Sequence, residues 1–122
     1  MVKIGIIGAY RGSDFAKAAK DFTDAKVTAI CERDEKRIEW LKQRDPENYT
    51  YFSDFDEMLN SDIDAVILCN YFCEHAPFAI KALKAGKHVL SETLSNITMA
   101  EGVALKRAVE ESGKIYMIGE NY

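Results

Sequence analysis

The segment Gly8-Ala9-Tyr10-Arg11-Gly12-Ser13 stands between an apolar run and an amphipathic one. Glycine at such a strand-to-helix turn lets backbone approach a phosphate, and the unpaired N–H groups and dipole of the following helix favour an anion. A dinucleotide fingerprint GxGxxG would want glycines at 8, 10 and 13, whereas this chain has Gly8, Tyr10 and Ser13. Gly12 fills the third role if the turn is one residue shorter. A plain strand-to-helix turn is the competing reading. Glu32 adds weight to the first. It closes the second apolar run, 20 residues past Gly12, where a carboxylate can accept hydrogen bonds from a ribose hydroxyl. Its competing reading is a solvated charge, because Arg33, Asp34, Glu35, Lys36 and Arg37 follow. A guanidinium at Arg33 or Arg11 could also pair with a 2′-phosphate. The loop and the acid together favour NAD as cofactor and leave NADP open.

Other reactive side chains point away from metal or nucleophilic chemistry. Cys31, Cys69 and Cys73 are odd in number and lack CxxC spacing, so they read as reduced structural thiols. His75 and His88 belong to no HExxH pattern and no Cys/His cluster, and a metal site is not expected. His88 lies inside a strand pattern and reads as structural. Ser91 and Ser95 lack a nucleophile elbow, which leaves a hydrolase triad unsupported. Trp40 and the phenylalanines are most simply core or helix-face residues.

The elements that must position these groups alternate along the whole chain. Val2 to Ile7 is a buried strand pattern, and Ser13 is placed to cap a helix reaching Phe22 with a stripe of Phe15, Ala18, Ala19 and Phe22. Lys26 to Cys31 reads as a strand, followed by a charged helix capped by Asp34 and stopped by Pro46. Tyr49 to Phe52 is a short strand, a short helix follows Asp54, and Ala65 to Cys69 is the fourth strand. A helix with Pro77 near its start ends at Gly86, and His88 to Leu90 follow as a strand. Thr98 and Glu101 have capping-box spacing for a helix that Gly113 ends, before a strand from Ile115 to Ile118. Strands alternating with helices predict an α/β fold, a parallel sheet with right-handed crossovers and helices on both faces. Ligands of such sheets bind beyond the carboxyl ends of the strands, where strand order reverses.

Composition narrows the partners. The 122 residues are 48% hydrophobic and 30% charged, as in an ordinary globular domain. With 16 Lys plus Arg against 20 Asp plus Glu, the formal charge of −4 argues against nucleic acid. No apolar run reaches the length of a membrane span, and the start lacks the features of a signal peptide. A cytoplasmic domain is expected.

The segments Asn70-Tyr71-Phe72-Cys73-Glu74-His75 and Ala82-Leu83-Lys84-Ala85-Gly86-Lys87-His88-Val89-Leu90-Ser91-Glu92 resemble the glucose–fructose oxidoreductase/inositol dehydrogenase (Gfo/Idh/MocA) family. Its members typically read TPNxxH after the fourth strand and then ALxxGKHVxxEKP. The resemblance implies a Rossmann-type doubly wound sheet of six strands, order 3-2-1-4-5-6, filling the chain. It implies that Gly8, Ala9, Tyr10, Arg11 and Gly12 hold the cofactor's diphosphate, and that Asn70, His75 and Glu92 border the nicotinamide ribose, with a helix-start histidine satisfied by backbone as the competing reading of His75. The family's lysine falls on Thr93 and its proline on Leu94. A threonine hydroxyl supplies neither a cation nor an amine of tunable pKa, so no catalytic residue is assigned.

Family members continue into an α/β domain that lines the substrate pocket and supports oligomerisation, where this chain reads Gly119-Glu120-Asn121-Tyr122. The expected function is the cofactor domain of an NAD(P)-dependent oxidoreductase acting on a sugar or polyol-like hydroxyl, inactive alone, from a longer enzyme. The surface that meets the missing domain leaves a homo-oligomer open. The alternative is a non-catalytic module that binds or senses a dinucleotide. A methyltransferase-type domain shares the glycine loop and the acid but is disfavoured by Gly-Lys-His-Val.

Overall fold

A computed structural model describes residues 1–120. Asn121 and Tyr122, part of the segment at which a further domain is expected from the sequence to begin, lie outside them. Six parallel strands, β1 (Val2–Ile7), β2 (Ala25–Cys31), β3 (Thr50–Phe52), β4 (Ala65–Leu68), β5 (His88–Glu92) and β6 (Tyr116–Gly119), form one sheet in the order β3-β2-β1-β4-β5-β6. The connecting helices are α1 (Ala9–Ala18), α2 (Glu35–Arg44), α3 (Phe55–Leu59), α4 (His75–Lys84) and α5 (Met99–Ser112). Order reverses between β1 and β4, and that switch point fixes where a ligand cleft can open.

Alternation along the strands builds two cores. Ile4, Ile6, Val27 and Ile30 turn to one face and pack with Ala9, Ala16 and Leu41 of α1 and α2. Ile7, Cys31, Leu68 and Val89 turn to the other, against Phe55, Met58, Leu83 and Leu105 of α3, α4 and α5. Both faces of the sheet are covered, which is why the strands read as nearly continuous apolar runs. No helix among the described residues is long and apolar enough to cross a membrane.

Several caps stand where the local spacing put them. Asp34 Oδ1 accepts from Lys36 N at 2.9 Å and Asp54 Oδ1 from Glu57 N at 3.0 Å. Thr98 and Glu101 close a reciprocal capping box, and Gly113 ends α5 with φ 65°.

The first helix differs from its sequence reading. It starts at Ala9, four residues before Ser13, because Gly8 turns the chain at the very end of β1 with φ 97°. Only glycine adopts that conformation without strain. Ser13 therefore lies within the helix, and its Oγ donates to the Tyr10 carbonyl at 2.7 Å. Ala9, Gly12 and Ala16 form the buried face of α1; of the expected stripe, Ala19 is buried and Phe15 packs half-buried beside it, whereas Ala18 is exposed and Phe22 is 56% exposed. β5 runs two residues longer than expected, pairing Ser91 with Ile118 and Glu92 with Gly119.

Candidate functional site

A cleft of about 560 Å³ opens at the carboxyl ends of β1, β2 and β4. Gly8, Tyr10, Arg11, Glu32, Arg33 and Asn70 line it, together with Arg37, Tyr71 and Glu74. Six of the sequence candidates thus meet in one place. Ala9, Gly12, His75 and Glu92 lie outside its lining, and each has a defined job elsewhere.

Gly8 and Gly12 bring α1 close to the sheet. A Cβ on Gly8 would stand 2.5 Å from the Cys69 carbonyl oxygen, and one on Gly12 would stand 2.5 Å from Ile6 Cγ2. Gly12 therefore performs the close helix–strand packing of a fingerprint's third glycine, as the shorter turn requires. The first-turn amides of Tyr10 and Arg11 precede the first intrahelical bond, Gly12 N to Gly8 O, and by helix geometry lack intrahelical acceptors. They are donors suited to an anion. Tyr10 takes the place of the second glycine by folding its ring onto Trp40 of α2, with centroids 4.7 Å apart and planes at 76°. The Arg37 guanidinium covers that ring at 4.8 Å.

Glu32 is 7% exposed and is no free surface charge. Its Oε2 accepts from the Ala9 amide at 3.0 Å and its Oε1 from the Asp34 amide at 3.1 Å. Arg37 Nη1 is 3.8 Å from Oε2. A carboxylate offers about four lone-pair sites, so two backbone donors leave capacity for a ligand hydroxyl. Arg33 Nη2 donates to Glu74 Oε2 at 2.9 Å, and Asn70 Nδ2 to the same oxygen at 3.2 Å. Asn70 Oδ1 is buried without a hydrogen-bond partner, an open acceptor at the cleft.

Arg11 and Glu92 join opposite sides of the switch point. Arg11 Nε donates to Glu92 Oε2 at 2.7 Å and Nη2 to Oε1 at 3.1 Å, while Nη1 meets Asp14 at 2.9 Å. His75 opens α4 and is 2% exposed, its ring held by backbone carbonyls. Its Nδ1 faces the carbonyls of Thr93 and Leu94 at 2.8 and 3.1 Å, and its Nε2 the carbonyl of Asn70 at 3.0 Å. The ring thereby ties the loop after β4 to the loop after β5. Leu94 has φ 60°, the one positive value among the described non-glycine residues, and Thr93 is exposed.

Burial pushes the thiols of Cys31 and Cys69 up to about 12, which keeps both protonated. All three cysteines are free, with Cys73 exposed. His88 Nδ1 accepts from the Ile115 amide at 3.0 Å, a structural role between β5 and β6. Sequence reading missed Arg37, whose one local signal is its place three residues after the cap Asp34. It also missed Tyr71 and Glu74, which lie beside Asn70 on the loop after β4.

An acid closing the second strand, a glycine turn into a helix N-terminus and a sheet reversing beside them define a dinucleotide-binding domain of the Rossmann type. The chain belongs to the Gfo/Idh/MocA oxidoreductase family with the NAD-binding Rossmann fold, whose family model matches residues 2–120. It is 29% identical over 118 residues to myo-inositol 2-dehydrogenase of Thermotoga maritima, covering 96% of this chain and 34% of that protein. It is 32% identical over 133 residues to glycosyl hydrolase family 109 protein 2 of Shewanella sp. strain ANA-3, covering 98% of this chain and 28% of that one. The crystal structure of scyllo-inositol dehydrogenase from Lactobacillus casei with bound NAD(H) and scyllo-inositol superimposes with a TM-score of 0.85 at 26% identity. That match covers 98% of this chain and 36% of the other. The chain spans about a third of the length of the curated relatives it matches.

Proposed function

We propose that this NAD-binding domain serves an oxidoreductase acting on a sugar or polyol-like hydroxyl, with most substrate contacts made by polypeptide beyond it. The observation that carries the reading is the convergence of the α1 N-terminus, Glu32 and Asn70 on one cleft. The donor set fits the cofactor. The Tyr10 and Arg11 amides and the Arg11 guanidinium suit a diphosphate, and Glu32 suits the adenosine ribose. The unpartnered Asn70 Oδ1 and the carboxylate of Glu92 suit the nicotinamide side, where His75 sets the backbone. When bound, NAD supplies the hydride acceptor.

Inositol dehydrogenases among the relatives support a polyol substrate, and glycosyl hydrolase family 109 proteins extend the class to glycosides. Glu32 favours NAD, since a 2′-phosphate beside a carboxylate is repelled, while Arg33 and Arg37 make NADP tolerable. Thr93 favours the second reading, a dinucleotide-binding module without catalysis, because its hydroxyl cannot replace a lysine in proton transfer. Three free thiols suit a cytoplasmic setting. Exposed Met99, Val103, Met117 and Ile118 on α5 and β6 suit a covering domain or second copy, which gel filtration over a concentration range would detect.

Parallel calorimetric titrations with NADH and NADPH test the reading. NADH is expected to bind about tenfold tighter or more, and Glu32→Ala to erase most of that preference, the equivalent of one charged hydrogen bond. Equal, Glu32-independent affinities would overturn the assignment of Glu32. Absence of binding to either nucleotide would overturn the cleft as a cofactor site in this chain.

A further inference from the structure

The cleft covers only part of the switch point. Its lining comes from the carboxyl ends of β1 and β2, the loops after β2, β3 and β4, and the starts of α1, α2 and α3, with no residue of β5 or β6. Glu92 ends β5, and Arg11 reaches it from α1 across the carboxyl end of β4. The guanidinium is committed to two carboxylates at once, Glu92 through a bidentate contact and Asp14 through its remaining nitrogen. The other two arginines of the cleft are held on the β2 side, Arg33 by Glu74 and Arg37 by Glu32 and Asp34. Arg11 is thus the cation carried by the same helical turn whose amides await an anion.

We infer that Arg11 is a partner-exchanging clamp, paired with Glu92 in the structure described and transferred to the diphosphate of an incoming dinucleotide. This deepens the reading of the cleft as an NAD site and rests on it. A diphosphate at the α1 N-terminus brings more negative charge to the guanidinium than one carboxylate does. The pair it displaces is open to solvent on the arginine side, with side chains 45% and 19% accessible, so water and salt screen it and a doubly charged diphosphate can outcompete it. The exchange leaves the Glu92 carboxylate free at the end of β5, on the side where the nicotinamide half must enter. Binding of one half of the cofactor is thereby coupled to opening of the other.

ADP is the probe, because it carries the diphosphate and lacks the nicotinamide half that Glu92 would meet. Titrations of the whole chain can be followed by the fluorescence of Trp40, the single tryptophan, which packs on Tyr10. Removing the competitor by Glu92→Gln is expected to tighten ADP about fivefold, as for release of a part-exposed ion pair. Arg11→Met is expected to weaken ADP about tenfold, and adding Glu92→Gln to Arg11→Met to change nothing further. Asp14→Asn, on the exposed side of α1, should tighten ADP in the same sense and replaces Glu92→Gln if that variant does not fold. Unchanged or weaker ADP binding in Glu92→Gln, beside a wild type that binds, would overturn the exchange and leave the cofactor site standing. A wild type that binds neither ADP nor NADH would overturn both.

Discussion

His75 shows how a chemically capable side chain can be spent on architecture. A neutral imidazole has one N–H and its cation two, and here both nitrogens face backbone oxygens of loops flanking the cleft. His75→Leu keeps the volume and leaves the carbonyls of Asn70, Thr93 and Leu94 without that donor. A loss of about 2 kcal/mol in urea unfolding is expected, with faster amide exchange at 93–95 than in α2. The contacts His75 makes lie 18 and 19 residues away on one side, a separation no local pattern encodes. The Arg11–Glu92 pair, 81 residues apart, was illegible for the same reason. Glu32 was legible because an acid closing an apolar β run is a local signal, although its backbone partners were not. At the same scale, the Cys31 and Cys69 thiols rise from 9.0 to about 12 through burial. A folded state that holds these protons longer than the unfolded chain is fully favoured below pH 9.0 and loses that advantage as pH rises toward 12. A thiol reagent at about pH 8 should therefore label Cys73 alone in the folded chain and all three cysteines after unfolding.

At the scale of elements, α1 decides whether the cleft exists. Gly12→Ala would drive a methyl into Ile6 and lift the helix from β1, costing about 2 kcal/mol by thermal or urea unfolding and weakening NADH more than tenfold. Loss of stability without loss of NADH affinity would show that the helix N-terminus contributes nothing to binding. The start of α1 was misread because Ser13 is a good cap in isolation, while the turn at Gly8 depends on how β1 meets β4. The capping box of α5 was read correctly, since both of its partners lie within one turn. Thr98→Ala should cost about 1 kcal/mol, measurable by urea unfolding, without altering nucleotide binding.

For the molecule as a whole, the alternation of strand and helix made a parallel, doubly covered sheet legible, because each element carries its own periodicity. Strand order is a long-range property, and it came from resemblance in the Gly-Lys-His-Val segment and its neighbours before the pairing of β1 with both β2 and β4 displayed it. That order puts the cleft at one end of the sheet, while a smaller cavity of about 280 Å³, lined by Ala16, Lys20, Phe22 and Tyr49, lies apart from it. The most direct measurement is an NADH titration of 15N-labelled chain followed through its backbone amides. Saturable shifts at Gly8 to Gly12, Glu32, Arg33 and Asn70 are expected, with Ala16, Lys20 and Tyr49 silent. Shifts centred on the smaller cavity, or none at all, would contradict cofactor binding at the switch point.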